Sequence, residues 1–164
     1  MKRPPRPIRE VALALLARRD HTAGELRQKL RVRGFTPDEI EEILPRLRDT
    51  GLVDDRRTAR LLLERETAGR GTGPALLRAK LIAKGVAPGT IDECLGALTG
   101  DWELEQAKLA AARWSARHPR AGAWKEALAR HLRSRGFGWG AVRNALGSTT
   151  PEHDDWRSTS HDEP

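Results

Sequence analysis

The chain has 164 residues, 32% of them charged, with no tyrosine, two phenylalanines and few β-branched runs, a composition that argues against a sheet. Its net charge is +7, but residues 151–164 hold five acids against Arg157, so the remaining 150 residues carry an excess of eleven positive charges. No apolar run approaches a membrane span, the basic, proline-containing start is no signal peptide, and a lone cysteine excludes an internal disulfide and fits a reducing cytoplasm.

Residues 1–7 read as a basic tail, and the first module runs over 8–53. Within it an apolar helix around Val11 to Ala17 is followed by ELRQKLRVRGFTPDEIEEIL, Glu25 to Leu44. Leu26 and Leu30 stand four apart and share one helical face. Gly34 closes that helix, because glycine accepts the left-handed conformation a helix end requires. Phe35 makes an apolar contact across the turn. Thr36 and Pro37 then supply a cap and a first-turn proline for the next helix, whose buried face is Ile40, Ile43 and Leu44. Thr22 and Glu25 have capping-box spacing. Pro45 falls inside the third helix and is expected to kink it or to end its regular part.

The unit then repeats without gaps. Leu26, Leu77 and Leu128 are 51 residues apart, as are Leu30, Leu81 and Leu132, and Gly34, Gly85 and Gly136. Asp54 and Asp55 open the second module, 54–100, where an acid meets the positive end of a helix. Ala59 to Leu63 is its first helix. Ala68 to Pro74 is the longest loop and is expected to be a flexible connector. LLRAKLIAKGVAPGTIDECL carries the repeat, and places Cys94 in the core slot of Ile43. The third module, 101–148, has its first helix around Leu109 to Trp114 and a glycine-rich turn, Gly136 to Gly140, that holds Trp139. Trp114 and Trp124 are expected in the core. Residues 149–164, beginning in effect at Gly147, form an acidic disordered tail. The fold expected is all-α: three tandem three-helix repeats in an elongated, solenoid-like array whose neighbours bury faces together.

No catalytic set emerges. The histidines lack metal-ligand spacing, and the one cysteine has no placed histidine. Gly-Arg-Gly-Thr-Gly lacks the lysine and Ser/Thr of a phosphate loop. No enzyme activity, metal or cofactor is therefore expected. The third helix of the first module has the look of a DNA-reading helix, but Asp38, Glu39, Glu41 and Glu42 would face phosphates. The cations sit instead on the second helix of each module. Lys29 and Arg33 form a pair along one edge of the apolar face, repeated as Lys80 and Lys84, then His131 and Arg135. Arg27, Arg31, Arg78 and Arg133 lie on the other edge. A regular stack would align them as a basic stripe facing a polyanion. Two plainer readings stand beside it: a cation at the end of a helix is favoured by the dipole, and a basic surface can simply be solvated. Trp139 is a candidate for stacking on a base or filling a partner's pocket.

The segments RDHTAGELRQKLRVRGF, GLVDDRRTA, GRGTGPALLRAKLIAKGV and HLRSRGF together resemble RecX, the family of bacterial regulators of the RecA recombinase, over roughly Val11 to Leu146. Thr58 departs from the family's usual aromatic residue, and the Gly138-Trp139-Gly140 turn departs from its third module. The resemblance implies a cytoplasmic, monomeric protein without catalysis of its own. It would bind the RecA filament on single-stranded DNA and suppress its ATPase, strand-exchange and coprotease activities in recombination and repair. Contact with bare nucleic acid would be weak and non-specific, with no membrane partner. A DNA-binding helical repeat that acts without RecA, and a scaffold for another partner, are the competing readings.

Overall fold

A computed structural model describes residues 6–69, 71–118 and 122–148, and among them nine helices and no strand. They fall into three successive triples: α1 (Ile8–Leu16), α2 (Ala23–Val32) and α3 (Pro37–Asp49); α4 (Asp55–Thr67), α5 (Pro74–Ala83) and α6 (Pro88–Gly96); α7 (Gly100–Ser115), α8 (Trp124–Ser134) and α9 (Trp139–Ser148). The all-α tandem array expected from the 51-residue period is the fold found.

Each triple follows from the same local chemistry. Gly34, Gly85 and Gly136 close α2, α5 and α8 at φ of 89°, 69° and 86°, the left-handed region. Pro37 and Pro88 stand in the first turns of α3 and α6. Thr36 and Glu39 form a complete capping box, each accepting from the other's backbone N–H. Thr22 caps α2 by accepting from the Glu25 amide, but the Glu25 side chain turns away to other partners. Helix α3 runs through Pro45. The carbonyl that Pro45 leaves without a donor is that of exposed Glu41, where water can serve it, so the helix continues.

Three cores result, one per triple, not one shared core. Leu26, Leu30, Ile40, Ile43, Leu44 and Leu47 centre the first; Leu77, Leu81, Val86 and Ile91 the second; Leu128, Leu132, Phe137 and Val142 the third. Cys94 packs against the second core, and Trp114 and Trp124 against the third, all half-buried. The extensive helix–helix contacts lie within a triple. Neighbouring repeats meet where the start of one second helix, and the loop before it, seats against the first helix and closing turn of the next repeat.

The joints use one register twice. The Thr22 hydroxyl donates to the Lys84 carbonyl, and the Gly73 amide, 51 residues on, donates to the Arg135 carbonyl at 2.8 Å. The start of α2 thus abuts the end of α5, and the start of α5 abuts the end of α8. Positive and negative helix ends meet in line. Asp55, at the start of α4, adds an acceptor for the Ala23 amide at 2.7 Å. Residues 71–73 are consequently buried and seated on the third repeat, not a loose connector. Trp139 begins α9 instead of lying in the preceding turn, and α9 includes Gly147 and Ser148. Residues 149–164, expected as an acidic tail, lie outside the described residues, as do 1–5.

Candidate interaction surface

The cations proposed as a stripe lie where the 51-residue register puts them, but most are already engaged. Arg27 on α2 binds Glu41 on α3 through two bonds of 2.6 and 3.1 Å. One repeat on, Arg78 binds Asp92 at 2.7 Å, the same bridge between the same two helices. In the third repeat those positions are Ala129 and Arg143, so that bridge has no counterpart there. Lys80 is held by the buried carboxylate of Glu66.

The positions before the closing glycines are joint residues. Lys84 Nζ reaches Glu25 of the first repeat at 2.6 Å. Arg135 donates from Nε to the Gly71 carbonyl at 3.0 Å and from Nη2 to the Thr72 hydroxyl at 3.1 Å. Burial alone would push the Glu25 carboxyl up, but hydrogen bonds from Arg19 and Lys84 outweigh it and hold it down at about 2. Buried His21 stands beside this carboxylate, its Nδ1 3.4 Å from Oε2, and burial together with the Arg19 charge lowers its pKa. His131 adds no charge to a stripe at neutral pH, because burial and the nearby Arg135 and His118 lower its pKa.

Among the stripe cations, two places stay open to solvent. On α2, Arg31 and Arg33 are exposed and Lys29 half-buried, with Val32 75% exposed between the arginines. None of the three is in an ion pair among the described residues; Arg33 donates to the Lys29 carbonyl at 2.9 Å. On the third repeat, the Arg133 guanidinium lies 4.9 Å from the ring centre of Trp139, which is 59% exposed. Arg133 also donates to the Phe137 carbonyl at 2.5 Å, which fixes it over the ring. A guanidinium stacked on an exposed indole offers charge and a flat apolar face together. Among the described residues no group of three or more His, Cys, Asp or Glu is placed to hold a metal ion. No helix among the described residues is long and apolar enough to cross a membrane.

Spacing missed what the joint residues do. Glu25 read as a capping residue and Lys84 and Arg135 as helix-end cations, because their partners lie about 60 residues away. The signal available was the run of small residues at the start of the second helices, Ala23-Gly24 and Gly71-Thr72-Gly73, which lets two backbones meet. Arg6 and Arg18, which border a groove beside Arg33, carried no periodic signal.

Comparison with known proteins agrees with this architecture. Residues 9–47 match a family model described as the RecX first three-helix domain, and residues 54–95 match the RecX second three-helix domain. The chain is 38% identical over 152 residues to the regulatory protein RecX of Halorhodospira halophila, covering 92% of this chain and 91% of that one. It is 39% identical over 140 residues to that of Chromohalobacter salexigens, covering 84% and 90%. In fold it is similar to the crystal structure of RecX from Lactobacillus salivarius, with a TM-score of 0.76 at 21% identity over 86% of this chain and 93% of that one. A second crystal structure, of a regulatory protein RecX, also gives 0.76 at 23% identity over 83% and 69%. Two matching domain families in tandem, and relatives this similar over nearly their whole length, place the chain in the RecX family of regulatory proteins.

Proposed function

We propose that the chain binds the RecA filament on single-stranded DNA and restrains its ATPase, strand-exchange and coprotease activities, from the cytoplasm and without catalysis of its own. The observation that carries this reading is family membership over nearly the full chain. The site that fits it is the outward face of α2, where Lys29 and Arg31 make no ion pair among the described residues, with the Arg133–Trp139 pair as a second contact. Both suit a surface of phosphates and acidic side chains.

Titration into a RecA ATPase assay on single-stranded DNA tests the reading. The parent should suppress hydrolysis, and Lys29→Glu with Arg31→Glu should weaken suppression while the circular dichroism spectrum is unchanged. A parent without effect on the ATPase sinks the reading. A second reading, DNA binding without the recombinase, draws on the stacked Arg133–Trp139 pair. It predicts that Trp139→Ala lowers affinity for bare single-stranded DNA as much as it lowers any effect on RecA.

A further inference from the structure

Each repeat carries a groove between its first helix and the closing turn of its second. In repeat 2 the groove is bordered by Thr58, Leu61, Leu62, Arg65, Lys84 and Val86. It is filled by repeat 1, whose Thr22 and Glu25 lie in it, leaving a cavity of about 310 Å³. In repeat 3 the corresponding turn takes residues 71–73 of repeat 2 through Arg135. In repeat 1 the equivalent positions are Val11, Ala14, Leu15, Arg18, Arg33 and Phe35, joined by Arg6. Here the groove is open, about 630 Å³, and no described residue occupies the place that Thr22 and Gly73 take in the other two.

We propose that this open groove of repeat 1 is a docking site for another protein, and that it takes the start of a partner helix with small residues at its first positions and a carboxylate in its first turn. The filled grooves define the small residues. A Cβ added to Gly24 would lie 2.6 Å from the Gly85 backbone, and one added to Gly73 would lie 2.4 Å from that of Gly136. A side chain added at either place meets backbone, so the seat on Gly34 should admit only small residues, as Thr22, Ala23 and Gly24 or Gly73 and Ala75 are. Charge defines the acid. Arg6, Arg18 and Arg33 surround an apolar floor of Val11, Ala14, Leu15 and Phe35, and the one acid there, Glu39, is engaged in its own capping box. Lys84, at the register of Arg33, holds a first-turn glutamate in the filled groove.

A second copy of this chain does not fit. Of its second-helix starts, those of α2 and α5 are already seated, and in α8 Trp124 occupies the register of Gly73 and packs against the third core. Glu126 there stands directly beside Lys125, whose charge is like that of the basic groove. The site lies at the end of the array and is independent of the filament reading, so either can fail alone.

The test uses the full chain and a fluorescein-labelled, amidated peptide that copies residues 20–32 with Arg27, Lys29 and Arg31 replaced by glutamate. Anisotropy should show saturable binding, and amide NMR shifts should concentrate at Val11, Ala14, Arg33, Gly34 and Phe35. Arg18→Glu with Arg33→Glu should weaken binding about tenfold or more, as loss of close charge pairs does. Ala14→Trp, an exposed position, should block the groove without changing charge. Changing Gly24 of the peptide to valine should abolish binding, and changing its Glu25 to glutamine should weaken it. The proposal is overturned if the peptide fails to bind at millimolar concentration, if either protein variant binds as the parent does, or if the shifts fall elsewhere. Concentration-dependent self-association that Arg18→Glu/Arg33→Glu removes would make the occupant a second copy. Displacement of the peptide by a short oligonucleotide bound in the same groove would make it a nucleic acid. Either result also overturns it.

Discussion

Lys84 of the second repeat and Glu25 of the first are joined at 2.6 Å across a boundary where their helices otherwise meet only end to end. Glu25 is nearly buried, and Arg19 holds its carboxylate from the other side at 3.0 and 3.1 Å. Glu25→Gln should cost about 1.5–3 kcal/mol, the range for hydrogen bonds to charged groups. The sign with pH follows from the depressed carboxyl. As pH falls, the unfolded chain takes up this proton first, so the contribution is present above about pH 4.5 and lost towards about pH 2. Denaturant unfolding over that window should show a steeper loss for the parent than for Glu25→Gln.

Three glycines of equal register separate backbone strain from packing. Gly34, Gly85 and Gly136 all have positive φ, but a Cβ at Gly34 meets nothing within 4 Å. At Gly85 it would meet Gly24 at 2.7 Å, and at Gly136 it would meet Leu76 at 2.3 Å. Gly34→Ala should therefore cost about 1 kcal/mol, the conformational term alone. Gly85→Ala and Gly136→Ala should cost clearly more, because the joint must open. Equal losses in Tm at all three positions would refute the close approach.

Thr58 lines the wall of the cavity between the first two repeats. Its hydroxyl is buried with no hydrogen-bond partner among the described residues. Thr58→Val removes that unsatisfied group at constant shape and should stabilise the chain by about 1 kcal/mol. A thermal melt decides it.

For bare single-stranded DNA, affinity should fall steeply with salt and depend little on sequence, since no helix presents a set of base-reading side chains. Trp139→Ala should cost about 1–3 kcal/mol of that affinity if the indole stacks on a base. Fluorescence anisotropy over a salt series measures both. An unchanged affinity would leave Trp139 outside the DNA contact.

The helices, their closing glycines and the leucine faces were legible because they depend on residues three to five apart. Leu26, Leu30 and Gly34 determine one another locally, and the 51-residue spacing copies that logic twice. The stripe was only half legible. Its cations do sit on the second helices or at their ends, but the partners of Lys80, Lys84 and Arg135 come from 14 to 64 residues away, and a period along one chain says nothing about what is set opposite it. Arg27 and Arg78 were each read as a free edge although Glu41 and Asp92 keep the same 51-residue spacing; a joint reading of both helices would have paired them. The effect of Pro45 is not legible in the sequence, because it depends on whether the orphaned carbonyl faces solvent.

Because each triple of helices closes around its own core and touches its neighbour over a narrow seat, the chain behaves as three beads on two short couplings. Cooperativity then belongs to the bead. The energy that makes one triple fold together is large and internal, while the energy that makes neighbours fold together resides in a few bonds at each coupling. Melting such a chain releases its heat in overlapping steps, and the calorimetric enthalpy exceeds the van't Hoff enthalpy of any one of them.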